Sequence, residues 1–252
     1  MILLIDIGNS RIKIAAENNG QLEMYEALNY VPSQILKQFS NKIDELISSP
    51  PTTILISNVA GPDIDKDLCQ WSESKFQLTP IFAVVNDKLC GLVNAYSQPE
   101  KLGIDRWLAM IAASNCFSGP ICVVDCGTAV TIDAIDDKKY FLGGVILPGI
   151  QVMRQSLIEN THAIGGNATG HIGDVFARDT QQGVSTGSIL AIVATIELVV
   201  KKLEERTDQK VSCILTGGDA ALIQTNMTIP TTLKTDLVFH GLILWGKENG
   251  LV

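Results

Sequence analysis

Asp6 and Asp125 occupy the same kind of place in the chain. Each follows a short apolar run, Ile2 to Ile5 or Ile121 to Val124. Asp6 leads into Ile7-Gly8-Asn9-Ser10 and Asp125 into Cys126-Gly127-Thr128, and a second extended run starts at once in both places, through Ile12-Lys13-Ile14 and Thr131-Ile132-Asp133. A glycine lets a ligand approach the backbone closely. The N–H groups and hydroxyls of such a turn can face anionic oxygens, and a fixed aspartate can organise a cation between protein and phosphate. Asp, Gly and Asn also build ordinary hairpin turns. Two copies, each continued by an alternating strand, read as a duplicated β-hairpin unit around a nucleotide. A third nucleotide-type signal is Thr216-Gly217-Gly218-Asp219-Ala220, a strand-to-helix turn whose paired glycines let a flat base or ribose approach.

The elements that must position these turns follow from periodicity. Strands are expected at 2–5, 11–16, 53–57 and 81–85, with helices at 34–47, 63–75 and from beyond Leu102 to Asn115. Ser118-Gly119-Pro120 breaks the pattern, which puts a domain boundary between 1–118 and 119–252. The second half then repeats the order, with strands at 121–125, 129–135 and 140–146 and a helix at 150–160. A glycine-rich loop follows at 163–173, then a helix at 188–206 and a strand at 211–215. Along that last helix Ile189, Ile192, Val193, Ile196, Val199, Val200 and Leu203 recur at helical spacing and must be buried. Leu190, Ala191, Ala194 and Leu198 make its remainder apolar too, as a homodimer interface would require.

With 252 residues, 46% of them hydrophobic, the chain can bury a sizeable core. A net charge of −8 argues against a polyanion-binding surface, so no nucleic-acid partner is expected. The six cysteines form no C-x-x-C pair and lie mostly in apolar runs, which fits reduced thiols, and three histidines leave few ligands for zinc. The chain starts directly with a strand-like run, without the n-region and longer apolar stretch of a signal peptide. The stretch Ile189 to Val200 falls short of a bilayer span of about 20 residues. A cytoplasmic protein without a membrane partner is the expectation.

The two hairpin signatures, taken with Leu215-Thr216-Gly217-Gly218-Asp219-Ala220, resemble the acetate and sugar kinase, Hsp70 and actin superfamily. That resemblance implies an α/β fold of two related actin-like (ribonuclease H-like) domains with a nucleotide cleft between them. A more specific likeness lies in Tyr96-Ser97-Gln98-Pro99-Glu100-Lys101-Leu102-Gly103-Ile104-Asp105-Arg106-Trp107, which resembles the Tyr-x-x-Pro-x-x-Leu-Gly-x-Asp-Arg-Trp stretch of type III pantothenate kinases. It extends through Asp6 to Lys13, Asp125 to Thr128, Gly143-Gly144 with Pro148-Gly149, and Thr216 to Asp219, nearly the whole chain. There are departures. Asp179-Thr180-Gln181-Gln182-Gly183-Val184-Ser185-Thr186-Gly187 has Asp and Thr where the family has Asn and Ser. Thr161-His162-Ala163-Ile164-Gly165 replaces Thr-Ala-x-Leu-Pro.

The resemblance implies ATP-dependent phosphorylation of pantothenate to 4′-phosphopantothenate, at the entry to coenzyme A biosynthesis. Asp105 would be the general base. Asp6, Ile7, Gly8, Asn9, Ser10, Arg11, Ile12 and Lys13 would bind ATP together with Thr128. Tyr96, Gly103, Ile104, Asp105, Arg106 and Thr180 would bind pantothenate. Asp6 would organise Mg²⁺ through water, and Asp125 would help hold a monovalent cation, K⁺ or NH₄⁺. Two other readings use the same residues: a kinase for another small acceptor, or a nucleotide-binding regulatory, transcription accessory protein of the same fold.

Overall fold

One sheet order occurs twice in the computed structural model, which describes residues 1–25, 27–30, 35–47, 49–161 and 175–252. The first sheet uses β1 (Ile2–Ile7), β2 (Arg11–Asn18), β3 (Gln21–Met24), β4 (Leu28–Asn29), β5 (Thr53–Asn58) and β6 (Ile81–Phe82). Its order is β3-β2-β1-β5-β6, with β4 pairing β2. Strands β1 and β2 are antiparallel, whereas β1, β5 and β6 run parallel. Helices α1 (Ile35–Leu46) and α2 (Pro62–Phe76) supply Phe39, Ile43, Ile64, Leu68 and Trp71 to the core beneath Leu3, Ile5, Ile7, Ile12 and Ile14. A short hairpin, β7 (Lys88–Leu89) with β8 (Leu92–Val93), leads through a 3-10 turn at Pro99–Lys101 into α3 (Ile104–Cys116).

The second sheet repeats the plan with β9 (Ile121–Cys126), β10 (Ala129–Ile135), β11 (Phe141–Pro148), β12 (Ser212–Thr216) and β13 (Thr232–Leu233), in the order β11-β10-β9-β12-β13. Again the first pair is antiparallel and β9, β12 and β13 are parallel. Helix α4 (Ile150–Asn160), α5 (Thr180–Thr207) and α6 (Ala220–Gln224) accompany this sheet, and α5 buries Ile189, Ile192, Val193, Ile196 and Val200 against Cys122, Val124 and Ile132. The last helix is α7 (Leu237–Glu248).

By packing, the chain divides into Met1–Ala112 with Asp236–Val252, and Ala113–Thr235. A cut at 118/119 does not coincide with this division, because α7 packs on β1 and β5 and so returns the C-terminus to the first unit. Two other sequence expectations differ from the fold. Strand β6 ends at Phe82 instead of residue 85, because beyond Ala83 the backbone leaves the ladder and the Val84 carbonyl accepts the Trp245 indole N–H at 3.0 Å. Helix α5 begins at Thr180 instead of 188, because the Asp179 side chain caps it by accepting the Gln182 N–H at 2.8 Å. At 28 residues, α5 is therefore long and apolar enough to cross a membrane by composition, which corrects the expectation of a stretch too short to span. Its buried stripe marks it as a core helix of the second unit. The glycine-rich loop at 163–173 and the His162 to Gly165 departure lie outside the described residues.

Candidate active site

The first hairpin places Asp6 at the end of β1, where three strands run side by side. Lys13 on β2 and Ser57 on β5 both stand opposite it in register. The Ser57 hydroxyl donates to Asp6 Oδ1 at 3.0 Å, and Lys13 Nζ lies 3.7 Å from Oδ2. Asp6 and Ser57 are buried, whereas Lys13 is half-buried. Burial pushes the Asp6 carboxyl above its ordinary value, the Lys13 charge pulls it down, and the Asp105 charge pushes it up again. Beyond Asp6, Ile7 is buried at the strand end, while Gly8, Asn9 and Ser10 form the turn and Arg11 and Ile12 open β2. The Gly8 N–H bonds to the Arg11 carbonyl at 3.0 Å, and the Gly8 carbonyl accepts the Tyr30 hydroxyl at 2.8 Å. Asn9, Ser10 and Arg11 are exposed.

Asp105 sits in the first turn of α3, after a glycine that makes room for it. Its Oδ1 accepts the Arg106 N–H at 2.8 Å. A Cβ on Gly103 would stand 2.6 Å from that same oxygen. Burial raises the Asp105 carboxyl above its ordinary value, against the lowering influence of the Arg106 N–H, the Arg106 charge and the Lys13 charge. Arg106 is buried, and its Nη1 donates to the Tyr96 hydroxyl at 3.2 Å while the guanidinium lies 5.9 Å from the Tyr96 ring centre. Ile104, the first residue of the helix, is buried. Asp6, Lys13, Asp105, Arg106 and Tyr96, nearly a hundred positions apart at the extremes, thus form one electrostatic group within the first unit. Such a group can hold anionic oxygens, a cation and a proton acceptor together.

In the second unit, Asp125 lies half-buried at the same point of β9, with Thr131 on β10 and Thr216 on β12 opposite it in register. Thr128 is exposed in the following turn. Backbone holds that turn: the Gly149 N–H donates to the Thr128 carbonyl at 2.9 Å and the Asp219 N–H to the Cys126 carbonyl at 3.0 Å. A Cβ on Gly149 would come 2.7 Å from the Thr128 carbonyl oxygen. One on Gly217, whose φ is +93°, would come 2.6 Å from the Cys126 nitrogen. Gly217 is therefore needed for close packing on β9, a use the paired-glycine signal did not reveal. Burial and then the charges of Asp125 and Asp219 drive the Cys126 thiol strongly upward, so it stays protonated. Arg154 on α4 is buried near enough to Asp219 for that charge to oppose the lowering effect of burial on its guanidinium. Thr180 opens α5 and lines a hollow with Met153, Leu157, Gly183, Val184, Gly187 and Ser188.

Sequence reasoning missed Ser57, Tyr30, Gly149's clamping role and Arg154. Ser57 carried a faint signal, as a hydroxyl after the apolar run Ile54-Leu55-Ile56. Its partner is 51 residues away, which no local pattern reveals. Among the described residues no group of three or more His, Cys, Asp or Glu side chains could hold a metal ion. Asp6 beside a phosphate-type turn, without a cluster of protein ligands among the described residues, suits a Mg²⁺ that keeps most of its water shell, the habit of that ion.

Comparison with known proteins bears on this arrangement. The sequence profile of the type III pantothenate kinase family matches residues 2–202. The type III pantothenate kinase of Nitrosococcus oceani is 33% identical over 257 residues, covering 100% of this chain and 96% of the relative. A solved structure from Campylobacter jejuni, described as a Baf family transcriptional activator, matches with a TM-score of 0.61 at 25% identity, covering 99% of this chain and 100% of that one. A Sinorhizobium meliloti protein described as a 2-dehydro-3-deoxygalactonokinase matches with a TM-score of 0.57 at 9% identity, covering 98% of each chain. That last likeness shows the fold alone, the two-unit α/β fold of the sugar-kinase and actin type.

Proposed function

The chain belongs to the type III pantothenate kinase family, and we infer that it phosphorylates pantothenate with ATP, the first step of coenzyme A biosynthesis. What supports the mechanism is that the Asp105 charge is felt at Asp6 and the Lys13 charge at both carboxyls, with Lys13 Nζ 3.7 Å from Asp6 Oδ2. Phosphoryl transfer asks the protein for positioning and charge stabilisation more than for covalent chemistry. The Gly8 to Ser10 turn and Lys13 approach the ATP phosphates, and Thr128 offers a hydroxyl to phosphate from the second hairpin. Asp6 would organise a Mg²⁺ through water, and that ion would supply neutralisation of the developing phosphate charge.

Asp105 takes the proton from the primary hydroxyl of pantothenate. The freed oxygen forms a bond to the γ-phosphorus as the bond from that phosphorus to the β-bridging oxygen breaks, giving 4′-phosphopantothenate and ADP. A carboxylate lifted by burial is a stronger base than one in water, and the Arg106 N–H holds one of its oxygens so that the other can face substrate. The Arg106 guanidinium, steadied by Tyr96, suits the substrate carboxylate, and Thr180 suits its polar groups. At Asp125 the residue opposite is Thr131, where Asp6 has Lys13. Asp125 would help hold a K⁺ or NH₄⁺, which would supply positive charge there, as Lys13 does beside Asp6.

The exposed side of α5 presents the small residues Gly183, Gly187, Ala191 and Ala194 and the large apolar Leu198, a face suited to packing on a second copy, and this supports a homodimer. Six unbridged cysteines suit a reducing cytoplasmic setting, and the net charge of −8 speaks against nucleic acid or an anionic membrane as partner. The test is purified protein with ATP, Mg²⁺, K⁺ and a panel of acceptors. Pantothenate should be the one consumed, and nucleotide binding without product under those conditions would favour the regulatory reading instead.

A further inference from the structure

We propose that Ser57 is a positioning residue for this reaction, its hydroxyl fixing which oxygen of Asp6 is presented to the Mg²⁺-bearing phosphates. The inference rests on the assignment of Asp6 to Mg²⁺. Ser57 is fully buried in β5 behind Ile54, Leu55 and Ile56, where a hydroxyl costs stability unless it is bonded. It donates to Asp6 Oδ1, which leaves Oδ2 on the side of Lys13. The carboxylate is thus gripped from both neighbouring strands, and its rotation about the terminal torsion, otherwise broad and roughly two-fold, is restrained.

The repeat supplies a second, independent observation. Thr216 stands opposite Asp125 on β12 as Ser57 stands opposite Asp6 on β5, and it too is buried. The other flank differs, Lys13 against Thr131, so a strand hydroxyl is the shared neighbour of both aspartates. Partners of direct metal ligands are worth about 10- to 100-fold in metal affinity, and Ser57, acting on a carboxylate that meets Mg²⁺ through water, belongs at the low end of that range.

The experiment measures binding of a fluorescent ATP analogue as Mg²⁺ is varied, alongside KM for pantothenate and the melting temperature. Ser57→Ala should raise the Mg²⁺ concentration needed for half-maximal nucleotide binding by about tenfold. Metal-free nucleotide binding and KM for pantothenate should stay at the parent value. Ser57→Thr, the residue the second unit uses, should restore the parent Mg²⁺ requirement, and Ser57→Cys, a weak donor of similar size, should fall between. Ser57→Ala and Ser57→Cys proteins that keep the parent Mg²⁺ requirement and lose only melting temperature would overturn the positioning role. Asp6→Asn separates the two ideas. If it shifts the Mg²⁺ requirement and the Ser57 variants do not, the Asp6 assignment stands and the positioning falls. If neither shifts it, the Asp6 assignment fails and takes the positioning with it.

Discussion

The two hairpins share a strand order and an aspartate, yet they are held by different means. Around Asp6 the grip comes from side chains: Lys13 and Ser57 on the flanking strands, and the Tyr30 hydroxyl on the Gly8 carbonyl. Around Asp125 backbone closes the turn, with Gly149 and Gly217 letting two other segments pack directly on residues 126–128. Side-chain braces carry charge and can be tuned residue by residue. Backbone clamps fix shape. On the proposed reading, proton and phosphate chemistry belongs to the first hairpin and a seat for a monovalent cation to the second.

The largest test of that division is Asp105→Asn, which should lower kcat by about 10²- to 10⁴-fold, the usual worth of a general base. Nucleotide binding should remain, and a variant with near-parental turnover in a coupled ADP assay would remove Asp105 from the role. Next comes the contrast in clamping. Gly217→Ala should cost roughly 1–3 kcal/mol in overpacking, plus the strain of its left-handed backbone. Gly8→Ala, whose Cβ would meet nothing nearer than the Arg11 carbonyl oxygen at 3.5 Å, should unfold in denaturant close to parent. Equal losses in the two would erase the distinction between the hairpins.

Thr131→Lys transplants the first hairpin's tethered cation into the second. It should reduce the stimulation of turnover by K⁺ about tenfold, the equivalent of roughly 1.4 kcal/mol, and an unchanged K⁺ titration would count against a monovalent cation at Asp125. The smallest effect concerns stability. Because burial raises the Asp105 carboxyl, the folded protein binds that proton more tightly than the unfolded chain does. The stabilisation it brings is complete below the unfolded value of about 3.9 and is lost as pH rises through the folded one. At neutral pH, Asp105→Asn should therefore melt above the parent, with about 2–4 °C for each kcal/mol gained in a chain of this length. The gap should close on acidification. The acid limb of kcat/KM should likewise lie above the ordinary carboxylate range.

Much of this was legible in the chain itself. Alternation marked β1, β2, β9 and β10, because each hairpin is a local structure whose turn residues and apolar faces are adjacent in sequence. The stretch from Tyr96 to Trp107 placed Asp105 and Arg106 at a helix start, where α3 begins. The apolar pattern of α5 begins only after Gly183 and Gly187, each of which costs about 1 kcal/mol relative to Ala in a helix, so the local sequence predicts a shorter helix. The Asp179 cap and the packing of Val184 and Ser188 override that preference.

By itself, then, the sequence determined the duplicated hairpin, the phosphate-type turns and the acidic and basic residues available for transfer, since these depend on spacing over a few residues. Only the tertiary structure decided that Ser57 flanks Asp6, that the Asp105 charge reaches it, and that Gly149 and Gly217 close on the second turn. It alone returned α7 to the first unit. Parallel pairing of β1 with β5 and of β9 with β12 joins segments separated by whole helices, and its register is set by the burial of both sheet faces rather than by any neighbour in the chain.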